Sequence, residues 1–485
     1  MRAEEEIRKG RIKKLENFRK AGIDPYPSEV KPHKKIREAI LNFESLIGKK
    51  IVLVGRIRAI RVHGGATFLH FEDFTGRFQA YLRRDRLGEQ RYKFFLDNFD
   101  IGDFALFEGT LFKTKRGEKT IEVEKYQILS KSLLPLPEKW HGLKDIEERF
   151  RKRYLDILMS PEVKEKFILR SKLIQAVREF FLNKGYIEVE TPILQPLYGG
   201  ALAEPFKTYH KALDMELYLR ISSELYLKRL IVAGFEKVFE ICRIFRNEGV
   251  DAVHNPEFTM LETMWAYANY KDNMDLIEEL YESVAKRIFN TTKIEYQGKQ
   301  IDLKRPWKRI TMEDIIKEKL KIDFSKIDVS EAKKQAKKFG IDTKRLKTKG
   351  EVMSELFDKK IIPLLWEPTI VYNYPIEVCP LAKRCKDNPF YAERFQHFIA
   401  GIECSNNYSE LNDPQEIEKN LKWQQERRER LKGETHPLDK DFIKAIEYGM
   451  PPTSGIGIGL DRMAIIFTNS RTLREVIFFP LMRPR

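Results

Sequence analysis

Cysteine is scarce in this 485-residue chain, with four, at positions 242, 379, 385 and 404. So few and so scattered, they exclude a disulfide framework. The five residues between Cys379 and Cys385 are not zinc-ligand spacing, so all four read as free thiols. Long hydrophobic runs are missing too: no stretch approaches the about 18 uninterrupted apolar residues of a membrane-spanning helix. The opening Met1-Arg2-Ala3-Glu4-Glu5-Glu6 carries acids where a signal or transit peptide avoids them, and no apolar core follows. The expected compartment is therefore the cytosol, with no membrane partner. No phosphate-binding loop of the form G-x-x-x-x-G-K-S/T occurs, and there is no internal repeat or low-complexity tract.

What is present describes a globular protein. Hydrophobic residues make up 42% and charged residues 33%, in a chain long enough for two or three domains with full cores. The one biased global number is a net charge of +16. Lys and Arg release condensed counterions from phosphates, so a polyanion is the natural partner. A solvated Lys/Glu surface of the heat-adapted kind has a similar composition. Charge alone leaves both readings open.

Along the chain, residues 1 to about 22 read as a basic amphipathic helix, ended by the breakers Gly22, Pro25 and Pro27. From about 46, short alternating runs with glycine-bearing turns predict five strands, with one helix over Gln90 to Phe99. That pattern suits a small closed barrel of the oligonucleotide-binding type. Pro135-Leu136-Pro137 marks a boundary, and a charged helical connector follows to Asp156. The rest mixes long helices (Glu162 to Lys184, Asp275 to Phe289) with strands (Val238 to Phe245, Phe258 to Met264). A Lys-rich helical segment over about 311–363 interrupts it like an insertion.

Three segments carry chemistry. In the first, Lys184-Gly185-Tyr186 leads through Glu190-Thr191-Pro192, a helix stop followed by a strand before proline. In the second, Phe245-Arg246-Asn247-Glu248 turns back through His254-Asn255-Pro256-Glu257-Phe258. An arginine leaving a strand sets a guanidinium fork on a phosphate or carboxylate, His254 reaches from the loop, and the Phe258 ring suits a purine. The third is Gly455-Ile456-Gly457-Ile458-Gly459-Leu460-Asp461-Arg462. Its rival reading is a dinucleotide loop, but the glycine spacing is strand-like rather than G-x-G-x-x-G. Glycines along one strand face leave room for a ligand against the backbone, with Arg462 facing it from the next helix.

In this order and spacing, the three segments resemble the signature motifs of the class II aminoacyl-tRNA synthetases. The class I signatures His-Ile-Gly-His and Lys-Met-Ser-Lys-Ser are absent. From Arg56 to Pro484 the chain is similar to the class II lysyl-tRNA synthetases (class IIb). Telling stretches are His141-Gly142-Leu143, Arg153-Tyr154-Leu155-Asp156, Gly199-Gly200-Ala201, Ser223 to Leu230, Ser409 to Asp413, and Phe479 to Pro484.

The resemblance implies an α+β fold. A basic helical arm (1–45) precedes an OB-fold anticodon-binding barrel (46–137) and a hinge (138–156). A catalytic antiparallel sheet flanked by helices (157–485) carries the insertion. It further implies ATP-dependent joining of L-lysine to tRNA(Lys) through a lysyl-adenylate, in a cytoplasmic homodimer. Arg246, Glu403 and Arg462 are the implied catalytic residues. ATP would be held by them with Glu248, His254, Asn255 and Phe258. Lysine would lie among Gly200, Glu224, Arg246, Glu262, Asn406, Tyr408 and Glu410. Glu262 would take the α-amine, and Glu224 and Glu410 the far end, because a buried cation needs opposite charge. Glu403 would bind Mg²⁺. Arg61, Phe68, Gln79 and Glu118 would read a U-rich anticodon by stacking and base-edge bonds.

Three positions depart from the family pattern. Gln396 stands where a second magnesium-binding carboxylate is usual, Met264 where a tyrosine is usual, and Asn407 where a glycine is usual. Gln396 and Met264 keep in view a catalytically weak RNA-binding or regulatory paralogue. A second alternative is a lysine ligase acting on a protein acceptor, a relative built on the same catalytic domain that lacks the barrel, which residues 46 to 137 supply here.

Overall fold

The structure, a computed structural model, describes residues 2–137, 145–201, 203–431 and 438–484. The chain divides into two units, 1–144 and 145–485.

In the first unit, helix α1 (Arg2–Lys20) is docked on a barrel rather than standing free as an arm. Arg11 donates to the carbonyls of Ile101, Ser132 and Leu134 at 3.0, 3.1 and 2.9 Å. Phe18 packs edge-on between Phe94 and Phe99, at 5.2 and 5.3 Å. The barrel strands are β1 (Lys50–His63), β2 (Ala66–Glu72), β3 (Arg77–Arg83), β4 (Phe104–Lys113) and β5 (Lys119–Ser130), with α2 (Glu89–Asn98) before β4. They close in the order β1-β2-β3-β5-β4, antiparallel except for β3 with β5. Alternation sends Leu69, Phe71, Phe78, Ala80, Ile121 and Val123 inward and their neighbours outward. Closure requires Gly109, where any Cβ would run into the Glu122 carbonyl of β5.

Of the connector expected at 138–156, residues 138–144, including His141-Gly142-Leu143, lie outside the described residues. Arg153 belongs to the second unit. It is buried and donates to Asp156 at 2.7 Å and to the Arg474 carbonyl at 2.5 Å.

The second unit is built on one sheet. Its elements in chain order are α3 (Pro161–Asn183), β6 (Ile187–Glu188), α4 (Glu224–Val232), β7 (Lys237–Phe245), β8 (Glu257–Ala266) and α5 (Tyr270–Phe289). Then come β9 (Lys308–Thr311), α6 (Lys349–Lys360), β10 (Thr369–Pro375), β11 (Tyr391–Ile399), β12 (Ile402–Glu403) and β13 (Ser405–Ser409). Further on are α7 (Lys440–Glu447), β14 (Thr453–Gly459) and α8 (Leu460–Phe467). The sheet order is β9-β10-β11-β13-β14-β8-β7-β6, with β12 beside β11. It is antiparallel, except that β6–β7 and β9–β10 pair in parallel.

Helix α5 starts at a capping box, Asn269 with Asp272. Leu276, Ile277, Leu280, Tyr281 and Val284, at helical spacing, pack against Leu261, Ile456 and Ile458 of the sheet. Burying each such side chain stabilises by about 1.5–3 kcal/mol, and Leu280→Ala would cost about 2–5 kcal/mol. The Lys-rich segment is the crossover between parallel β9 and β10. Met312, Ile316, Val352, Leu356 and Phe357 form its core beneath Val371 and Phe398. Among the described residues no helix is long and apolar enough to cross a membrane.

Candidate active site

Strand register decides which residues meet. Met264 of β8 lies beside Gly455 of β14, and Gly455 beside Tyr408 of β13. Two residues along, Glu262, Gly457 and Asn406 form the next row. The period of two turns these rows away from α5, onto the floor of a cavity of about 790 Å³. All the residues expected at the catalytic centre line this one cavity, Gly200, Glu248 and Gln396 included. Asn407, one out of phase, points into the interior, where its amide donates to Ser405 Oγ at 2.7 Å.

One end of the cavity is acidic and dry. Glu262 accepts from Ser222 Oγ at 3.0 Å, the Ser223 N–H at 2.9 Å and Ser223 Oγ at 2.7 Å. Burial pushes its carboxyl above the usual range, and the serine donors oppose that. Glu224 opens α4, and Glu410 follows β13. Lys228 Nζ lies 2.6 Å from each, with side chains of Lys228 and Glu410 only 1% exposed. The ammonium stands 5.6 Å over the Tyr408 ring and 6.0 Å from that of Phe442. Burial pushes Glu410 up to about 8, with Lys228 opposing and Glu224 adding to the shift.

The glycine strand was expected to make room for a ligand. At Gly455 the room is filled by the protein itself, since a Cβ there would run into Glu410 Oε1 and crowd Met264 Sδ. Met264 is buried at this spot and brings no hydrogen-bond donor.

The other end is cationic and more open. Arg246 leaves β7 with its guanidinium 5.2 Å over the Phe258 ring, and its contacts to the Ile221 carbonyl are long, 3.4–3.5 Å. Arg462, at the start of α8, donates to the Glu403 carbonyl at 2.9 Å and meets His254 Nε2 at 3.1 Å. It stands 4.0 Å from the Glu403 carboxylate, which is 37% exposed. Asp251 steadies His254 through Nδ1 at 2.8 Å. Asn255 donates to the Glu257 carbonyl at 2.6 Å, while its own Oδ1 is buried without a partner. Asp461 anchors the corner, accepting from Arg170 at 2.5 Å and the Thr259 N–H at 2.8 Å. Among the described residues no three Asp, Glu, His or Cys side chains gather as a metal site.

Sequence reasoning assigned no role to Ser222, Ser223 or Lys228. The serines carry no signal of their own, since they act through Glu262, forty residues away. Lys228 did, being four residues after Glu224 on one helix face. The crossover was also unforeseen as a wall: α6 turns Glu351, Ser354, Glu355 and Asp358 toward the cavity.

On the barrel, register places Arg61 beside Phe68, Phe68 beside Tyr81, His70 beside Gln79, and Gln79 beside Thr120. These share the outer face. Arg61 and Glu118 are exposed. Phe68 is half-buried, stacked on Tyr81 at 4.4 Å. Gln79 is buried and donates to Thr120 Oγ1 at 2.8 Å. Glu118 meets His70 Nε2 at 3.1 Å.

Comparison with known proteins matches residues 145–483 to a family described as tRNA synthetases class II (D, K and N). Residues 51–129 match an OB-fold nucleic acid binding domain. A lysine–tRNA ligase of Carboxydothermus hydrogenoformans is 49% identical, covering 99% of this chain and 98% of its own. That of Moorella thermoacetica is 47% identical, over 100% and 99%. That of Bacillus subtilis is 44% identical, over 97% and 96%.

Proposed function

The chain belongs to the class II tRNA synthetases of the D, K and N group, and from that premise we infer that it joins lysine to its tRNA in two steps driven by ATP. The observation that carries this reading is the polarity of the cavity, acidic and dry at one end, cationic at the other. A second carboxylate, as in aspartate, is repelled at the acidic end, and the neutral amide of asparagine leaves buried charge unmatched. The lysine–tRNA ligase names of full-length relatives point the same way.

In the first step, the ε-ammonium of lysine lies at Glu224 and Glu410, its methylene stem on Tyr408 and its α-amine at Glu262. ATP stacks its base on Phe258, with Asn255 and Glu248 at its polar edge. Arg246 holds the α-phosphate beside the lysine carboxylate, and Arg462 with His254 holds the terminal phosphate. A carboxylate oxygen attacks the α-phosphorus in line, the bond to the β-phosphate oxygen breaks, and diphosphate leaves. In the second, a terminal ribose hydroxyl of the tRNA attacks the acyl carbon, and AMP leaves with the bonding pair. No side chain is a nucleophile; the arginines offset charge that grows in the transition state.

Mg²⁺ accompanies the nucleotide and neutralises phosphate charge when bound. The residues fit it: Glu403 turns a half-exposed carboxylate into the cavity, and Gln396 offers an amide oxygen. The unit 46–137 would read the anticodon through Arg61, Phe68, Gln79 and Glu118. The protein would pair as a two-fold homodimer through the segment Lys184 to Pro192, where Ile187 is exposed on an edge strand and Leu182, Ile193 and Leu194 are exposed beside it.

Amino-acid-dependent ATP–diphosphate exchange without tRNA, followed by charging of unfractionated tRNA, tests the reading. Lysine should support both, and aspartate and asparagine neither. Exchange with either of those, or none with lysine, would overturn it.

A further inference from the structure

Lys228 is a buried cation at the acidic end that the mechanism above does not use. It touches both Glu224 and Glu410 at 2.6 Å and lies behind them, while those two carboxylates line the cavity. We propose that Lys228 is a positioning residue that fixes Glu224 and Glu410 and sets this subsite to a net charge of −1, the complement of one ammonium. The proposal rests on the lysine reading of the site.

The placement is rigid. Lys228 projects from α4, where Glu224 is four residues earlier, and lies among Tyr408 of β13 and Phe442 of α7. The next residue, Arg229, ties α4 to the start of α7 through Asp439 at 3.0 Å and Asp441 at 3.2 Å. The charged and titratable groups facing the ammonium are thus Glu224 from its own helix and Glu410 and Tyr408 from the β13 side. Glu262 of β8 adds its field to Glu410. The acids of α7 are taken up by Arg229.

Charge balance follows from this geometry. Two neighbouring buried carboxylates cannot both stay ionised without a cation. Lys228 opposes the rise that burial imposes on Glu410, and with both carboxylates ionised the trio carries −1, which the substrate's ammonium brings to zero. Without Lys228 the pair would hold a proton more tightly, and lysine would have to displace that proton to bind. Lys228 is therefore present before substrate arrives, holding both carboxylates in place at 2.6 Å and easing ionisation of Glu410.

A charge-balance role makes an unusual prediction about pairs of substitutions. Lys228→Met should raise the lysine KM by more than about 30-fold, as expected when one partner of a buried charge pair is lost, while the ATP KM moves little. Glu224→Gln should also raise the lysine KM. The double variant Glu224→Gln/Lys228→Met restores −1 and should bind lysine better than Glu224→Gln alone. A purely structural Lys228 would make the double variant worse than either single one, and that result overturns the proposal. So does a folded Lys228→Met with an unchanged lysine KM. If Lys228→Met does not fold, the double variant, which leaves one buried carboxylate rather than two without a cation, is still compared with Glu224→Gln and decides the matter. An unchanged lysine KM in Glu224→Gln itself would instead refute the placement of lysine at this end.

Discussion

At the nucleotide end of the cavity, the Arg246 guanidinium lies 5.2 Å over the Phe258 ring with contacts of 3.4–3.5 Å to the Ile221 carbonyl, and Arg462 donates to the Glu403 carbonyl at 2.9 Å but stands 4.0 Å from its carboxylate. At the amino-acid end, Lys228 sits 2.6 Å from both Glu224 and Glu410, and Glu262 takes three donors within 3.0 Å. The contrast is one of pairing. Among the described residues neither guanidinium has a carboxylate closer than 4.0 Å, so both stay available for phosphate. A dry carboxylate has no water to fall back on and has to be partnered from the start. The first end gains its energy when ATP arrives; the second is organised in advance and selects.

The largest expected effect lies at the open end. Arg462→Ala or Arg246→Ala should cut lysine-dependent exchange by roughly 10²–10³-fold, the usual result of removing a preorganised transition-state donor, with thermal unfolding little changed. Loss of folding instead would mean these arginines are structural and the ends do not differ as described.

A smaller effect isolates the barrel from both ends. Phe68→Ala should weaken tRNA charging by about 1–3 kcal/mol, one stacking contact, and leave tRNA-independent exchange alone. Equal loss of both activities would show that the ring, stacked on Tyr81, serves only to hold the barrel together.

The dry end should also respond to pH. Glu410 is pushed up to about 8 by burial, and an ammonium needs it ionised. The lysine KM should therefore fall as pH rises from about 6.5 to 8.5, by at most about tenfold per unit. Stability runs the other way. The folded state holds this proton more tightly than an unfolded carboxyl near 4.5, so the Glu410 contribution favours folding at low pH and weakens as pH climbs from there to about 8. An unchanging lysine KM across this range would mean Lys228 already keeps Glu410 fully ionised.

The smallest effect sharpens selection. Met264→Tyr places a hydroxyl beside Glu410 and should improve preference for lysine over shorter or uncharged analogues by about 1 kcal/mol, one hydrogen bond. Competition for exchange between lysine and ornithine measures it.

How much of this was readable beforehand follows from the same contrast. Arg246, His254, Phe258 and Arg462 belong to compact motifs, and the alternation of Gly455, Gly457 and Gly459 announced a strand whose face is the cavity floor. The barrel was readable from period-two runs. What sequence did not disclose depends on contacts between distant segments. The Ser222–Ser223 cradle of Glu262 was hidden, as was the filling of the space at Gly455 by Glu410 from the neighbouring strand. The Lys-rich stretch read as an insertion because charge dominates its composition. Its apolar residues, spaced for helices, instead pack it onto β10 and β11 as a crossover. The helix at 2–20 read as an arm because Phe18 and Arg11 gave no hint of the barrel surface they meet.

The central claim is that the acidic end chooses lysine, and Glu410→Gln tests it most directly. Removing one charge while keeping shape leaves Lys228 paired with Glu224 alone and the subsite neutral. Lysine-dependent exchange should show a lysine KM raised by about 2–5 kcal/mol, the scale of a broken buried charge pair, with the ATP KM unchanged. Lysine activation indistinguishable from that of the unaltered protein would contradict the account.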